Sequence, residues 1–145
     1  MHRNKVVLAT HNAGKLRELR ALLSETDLEC KSQAECRVSE IPETGQTFFE
    51  NALIKARNAC RYSGLPSIAD DSGLVVDCLQ GAPGVHSARF AGEKATDSDN
   101  LKKLLQAVEE FSAKERTARF KCAMVYLRSE SDPSPLISVG TWEGR

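Results

Sequence analysis

TFFENALIKARNACRYSGLPSIADDSGLVVDCL, residues 47–79, sets a capped helix directly before an apolar strand. Thr47 and Glu50 supply the T-x-x-E signature of a capping box, and Phe49, Leu53, Ala56 and Cys60 recur at helical spacing. Gly64 and Pro66 supply the stop, because Gly tolerates a left-handed cap and Pro cannot continue a helix. Asn51, Lys55 and Asn58, spaced i, i+4 and i+7, project from one polar face. SIADDSGLVVDCL then reads as two strand segments bent at Ser72-Gly73.

The same alternation extends to both sides. KVVLAT (5–10) is a short β-branched run that reads as a buried strand. GKLRELRALLSE follows after a small polar turn, with Leu16, Leu19, Leu22 and Leu23 expected on one buried helical stripe. Downstream, GAPGVHSARFAGEKATDSD is a long loop by its Gly and Pro content. A third helix is expected from Thr96-Asp97, burying Leu101, Leu104, Leu105, Val108 and Phe111. Strands over 120–128 and 136–142, joined by the SESDPSP turn, predict an antiparallel hairpin whose last strand exposes an edge. Crossover and hairpin connections together give an α/β fold with a mixed sheet flanked by helices.

Composition narrows the function. The 145 residues match a single domain, and 41% hydrophobic with 28% charged residues is a globular composition. Twenty basic and 20 acidic residues cancel, so no bulk field draws the chain to nucleic acid or to an anionic membrane. No apolar run approaches the roughly eighteen residues of a membrane span, and MHRNKVVLAT lacks the features of a signal peptide. The five cysteines are scattered with no C-x-x-C pair, which points to reduced thiols and a cytoplasmic protein. His2 and His11 have no partner histidine at zinc-ligand spacing.

Several segments are candidates for chemistry. The turn THNAGK (10–15) opens a helix, where outward N–H groups and the positive helix end suit a phosphate. Lys15 in the first helical turn points to an anion as well; an ordinary Asn/Gly turn with a solvated lysine is the other reading. The segment is not a P-loop, because Ala9 and Leu16 stand where that motif needs a glycine and a hydroxyl residue. Asp70 and Asp71 are hard oxygen donors suited to Mg²⁺, and an Asp beside such a metal can activate water; capping a turn before Ser-Gly is the alternative. Glu43 and Lys55 are further candidates, for metal and phosphate respectively. A Ser-His-Asp arrangement of Ser72 with His86 lacks any nucleophile context in the sequence.

THNAGKLRELRALL, PETGQTFFENALIKA, PSIADDSGLVVDCLQGAPGVHSARFAG and ARFKCAMVYLR occur in this order, and together they resemble the inosine triphosphate pyrophosphatase family, its bacterial members most closely, over essentially the whole chain. The resemblance implies an elongated α/β fold with a long mixed sheet and two lobes around a central nucleotide cleft. It implies a Mg²⁺-dependent homodimer that hydrolyses ITP, dITP and XTP to the monophosphate and pyrophosphate. Carried onto this chain, it assigns triphosphate binding to Thr10, His11, Asn12, Ala13, Gly14 and Lys15, with Asn12 and Lys15 as the main side-chain contacts. Asp71 becomes general base and metal ligand, Glu43 assists at the metal, and Asp70 is a supporting or metal-facing partner. Ser72 contacts substrate and Lys55 approaches the phosphates. The family runs on past this end with a Gly-rich segment and a Ser-His-Arg segment that read the base. Residues 1–145 are therefore expected to form one pyrophosphatase domain, C-terminally truncated relative to the family, with the phosphate and metal half present and the base-recognition half largely missing. A non-catalytic nucleotide-binding module is the alternative.

Overall fold

The computed structural model describes residues 4–145; His2 lies outside them. Element order is β1 (Asn4–Leu8), α1 (Ala13–Leu22), β2 (Leu28–Ser32), α2 (Phe48–Ser63), β3 (Ser67–Val76), α3 (Asp97–Ala107), β4 (Ala118–Leu127) and β5 (Leu136–Gly144). Short 3-10 turns at Asp77–Leu79 and Gly84–Arg89 occupy part of the region expected to be loop. The five strands form one mixed sheet in the order β2-β1-β3-β4-β5. β1 pairs in parallel with β2 and with β3. β4 and β5 are sheet neighbours joined by a short turn, and Arg119 near the start of one bonds Glu143 near the end of the other, as an antiparallel hairpin requires.

The chain divides into two compact units, residues to Asp70 with 124–138, and residues 71–123 with 139–145. In the first, Val6, Val7 and Leu8 of β1 are wholly buried, the pattern of a central strand covered on both faces. Ala52, Ala56, Ala59 and Cys60 of α2 pack with Val7, Ala9, Ala69, Val125 and Leu127. These small helical side chains let α2 lie close to the strands. Thr47 caps α2 by accepting from the Glu50 N–H at 3.1 Å. The Glu50 carboxylate reaches one residue further back than a capping box requires, accepting from the Gln46 N–H at 2.7 Å. Gly64 ends the helix in the left-handed region at φ 67°. Buried Ser67 ties this end to β3, donating to the Ala56 carbonyl at 2.7 Å. Burial pushes the neighbouring Cys60 thiol up in pKa.

LECKS is not among the expected strands, yet Leu28–Ser32 is one, paired along its length with β1. Two expectations change in this part of the fold. β3 is a single unbroken strand through Ser72-Gly73, running on past its pairing with β1 at Ser67 and Ile68 and with β4 as its other neighbour in the sheet. In α1, Leu19 is buried but Leu22 is 76% exposed. At 3.6 residues per turn Leu22 lies roughly 120° round the helix from Leu16.

In the second unit α3 carries a full capping box between Thr96 and Asp99. Asn100 holds the preceding loop, accepting from the Ala91 N–H and donating to the Ala88 carbonyl. The apolar stripe of α3 is not the buried one expected: Val108 is buried, whereas Leu101 and Leu105 are more than half exposed. With Phe120 and Trp142 they line an open cavity of about 630 Å³. β5 is the edge strand and exposed along its length, so no described element packs over it.

An ion network pins the end of β5. Arg119 donates to both Asp77 oxygens at 2.8 and 2.9 Å and to Glu143 at 2.9 Å, while the Thr117 hydroxyl donates to Asp77 at 2.6 Å. The Arg119 and Thr117 bonds hold the Asp77 carboxyl down at about 2, against an ordinary 3.8. A depressed folded-state pKa gives stability that is present above the unfolded value and lost as pH falls through the folded one. Urea midpoints for the parent should therefore exceed those of Asp77→Asn above the ordinary value of 3.8, and the gap should close as pH falls toward 2. A gap independent of pH would remove the carboxylate from this role.

Candidate active site

Parallel pairing decides where the site lies. Val7 stands beside Ser67 and Leu8 beside Ile68, and the Ala9 N–H donates to the Ile68 carbonyl at 2.7 Å. β1 stops there while β3 continues through Ala69 and Asp70, so the turn 10–15 leaves β1 beside Asp70. The C-terminal ends of parallel strands are where open α/β sheets bind ligands.

Within the turn, Asn12 is the N-cap of α1, its Oδ1 accepting from the Lys15 N–H at 3.1 Å. The Asn12 N–H donates to Thr10 Oγ1 at 3.1 Å. The first turn of α1 carries no acidic residue, and a lysine there opposes the helix dipole. Lys15 Nζ instead donates to Asp70 Oδ2 at 2.8 Å, so its charge is met across 55 residues of sequence. Asp70 is 7% exposed, and its buried Oδ1 has no hydrogen-bond partner among the described residues.

A second ion pair lies on α2. Lys55 Nζ stands 3.4 Å from Glu43 Oε1, its side chain 18% exposed. His11 Nε2, in the turn, lies 4.0 Å from Glu40 Oε1, between two exposed side chains. The chain from Ser39 to Gly45 thus brings Glu40 beside His11 on the turn and Glu43 beside Lys55 on α2. Asn51 and Asn58, expected on one polar face of the helix, are buried against this same segment. Their role was missed: the i, i+4, i+7 spacing signalled a common face, but nothing in the sequence signalled what covers it.

Asp71, the first residue of the second unit, is also 7% exposed and follows Asp70 directly; Ser72, half-buried, comes next. The unbroken β3 removes the bend that would have turned both aspartates to one point. Among the described residues no group of three His, Cys, Asp or Glu side chains converges as a metal cluster. Mg²⁺ needs fewer, being bound commonly through one or two carboxylates plus phosphate oxygens and water. A buried carboxylate oxygen without a donor, at Asp70, fits such a cation. Of the residues in the Ser-His-Asp reading, His86 is exposed on the 3-10 turn 84–89. The adjacent Ser87 hydroxyl is used structurally, accepting from the Leu74 N–H and donating to the Gly84 carbonyl.

A model of the Ham1 family matches residues 6–145. The chain is 59% identical over 141 residues to a dITP/XTP pyrophosphatase from Vibrio parahaemolyticus, covering 97% of this chain and 70% of that protein. A protein of the same name from Escherichia coli is 56% identical over 140 residues, covering 97% and 71%. Among solved structures, a HAM1 protein from Coxiella burnetii matches with a TM-score of 0.92 at 46% identity, over 97% of this chain and 72% of that one. A nucleoside-triphosphatase/dITP/XTP pyrophosphatase from Mycobacterium abscessus matches with a TM-score of 0.82 at 37% identity, over 97% and 73%.

The Lys15–Asp70 pair yields a stability test. Lys15→Met leaves a buried carboxylate without its cation and should cost about 1–3 kcal/mol in urea unfolding. Adding Asp70→Asn should recover part of that loss, because the charge needing compensation is gone. Equal, additive losses in the two single variants would show that the pair is not coupled.

Proposed function

The chain belongs to the Ham1 family, and on that premise we propose that its 145 residues act as one pyrophosphatase domain with the catalytic assignments given below. Its reaction is hydrolysis of non-standard purine nucleoside triphosphates, ITP, dITP and XTP, to the monophosphate and pyrophosphate. A non-catalytic binding module is not favoured, since the relatives matched over 97% of the chain are named as pyrophosphatases.

The observation that carries the mechanism is Lys15, at the open end of α1 and held by Asp70. Thr10 to Lys15 supply N–H groups, a helix N-terminus and a cation for a triphosphate. Lys15 and Lys55 turn to phosphate oxygens, and Asp70 and Glu43 are released from these lysines. Carboxylates among Glu43, Asp70 and Asp71 would hold Mg²⁺, which when bound would neutralise phosphate charge and lower the pKa of water. Asp70 would contribute the oxygen that has no hydrogen-bond partner among the described residues. Asp71 is the general base, taking a proton from the water that attacks beside the α-phosphate, and Ser72 contacts the substrate. Preorganised charge on these groups meets the charge that develops as pyrophosphate leaves.

The cytoplasm is the compartment that suits the five free thiols and a nucleotide substrate. No helix among the described residues is long and apolar enough to cross a membrane. A homodimer completes the proposal, and sedimentation at micromolar concentration tests it.

Pyrophosphate release from dITP or XTP in Mg²⁺ is the deciding assay. Asp71→Asn should lower kcat by about 10²-fold or more while leaving the fold intact. Near-parental turnover in that variant would remove Asp71 as base. Chelation with EDTA should abolish turnover and Mg²⁺ should restore it; orthophosphate in place of pyrophosphate as first product would refute the reaction class.

A further inference from the structure

The polar row on α2 has a use that goes beyond the assignments above. Asn51 is wholly buried, and its carboxamide meets both backbone groups of Gly45: Oδ1 accepts from the Gly45 N–H at 2.7 Å, and Nδ2 donates to the Gly45 carbonyl at 3.4 Å. Asn58, 7% exposed, donates from Nδ2 to the Ser39 carbonyl at 2.8 Å. Lys55, between them on the same face, meets Glu43. Three helical positions thus hold Ser39, Glu43 and Gly45 in reverse order. The approach at Gly45 is so close that an added Cβ would lie 2.6 Å from Glu50 Cβ and 2.7 Å from Asn51 Oδ1. A segment otherwise without regular structure is therefore fixed at both ends by buried amides, with Glu40 and Glu43 between them.

We propose that Asn51 and Asn58 are positioning residues, which hold the 39–45 segment so that the Glu43 carboxylate is presented at a fixed place beside Lys55. The inference rests on the proposed role of Glu43 at the cation. Neither asparagine touches substrate or metal; each acts through the backbone on either side of Glu43. Groups that orient a ligand carboxylate in this way commonly change metal affinity by about 10–100-fold when removed.

Mn²⁺, titrated alone into the full chain and followed by electron paramagnetic resonance, is the probe. Asn51→Ala should weaken Mn²⁺ binding about tenfold, and the Gly45 amide should exchange faster with deuterium. Asn58→Ala, which opens the other end, provides a second variant should the first not fold. Combined with Glu43→Gln, either substitution should add little, since all act through one carboxylate. Unchanged Mn²⁺ affinity in both asparagine variants, with a loss in Glu43→Gln, overturns the inference and leaves the role of Glu43 standing. So does a fully additive loss. If Glu43→Gln alone leaves affinity unchanged, the role of Glu43 falls, and the positioning role falls with it.

Discussion

Parallel pairing of β1 with β3, Leu8 beside Ile68, brings the chain out of the first strand alongside Ala69 and Asp70. Because β1 ends and β3 does not, the polar turn and the start of α1 sit at the open end of the ladder. Lys15 is then within reach of Asp70, and a cation unfavourable to its own helix becomes half of an ion pair. A slip of one residue in this register would turn every β3 side chain to the other face and part the two.

Buried polar groups in the first unit are costly unless satisfied, and four of them are bonded to backbone. Ser67 bonds Ala56, Asn51 bonds Gly45, and Asn58 bonds Ser39. Asp132, 5% exposed, accepts from the N–H groups of Arg128 and Ser134 and from the Arg128 guanidinium, which together hold its carboxyl well below the usual carboxylate range. These bonds fix irregular segments where no strand ladder does. Against that background the unpartnered Oδ1 of Asp70 stands apart.

The second unit is organised differently. Its polar contacts are rich, in the Asp77–Arg119–Glu143 network and in the bonds from α3 to the loop before it. Its apolar face is open: Leu101, Leu105, Phe120, Val139 and Trp142 are all more than half exposed. Hydrogen bonds and ion pairs fix the backbone of α3 and β5, whereas apolar burial does not.

Local signals fixed much of this protein. Thr47 and Gly64 bound α2 through bonds made within a few residues, and Thr96 with Asp99 starts α3 in the same way. The alternation of helices and apolar strands set the α/β class, and the ordered motifs around Asn12, Lys15, Lys55 and Asp71 set the family. What the tertiary structure decided depends on residues far apart in sequence. β2 is a strand because β1 lies beside it; Asn51 and Asn58 are buried because residues 39–45 cross them; Leu101 is exposed because no described element covers it. The meeting of Lys15 with Asp70 is the same kind of fact. Caps and periodicities are short-range and can be read from neighbouring residues, but burial and ion pairing depend on which distant segment arrives.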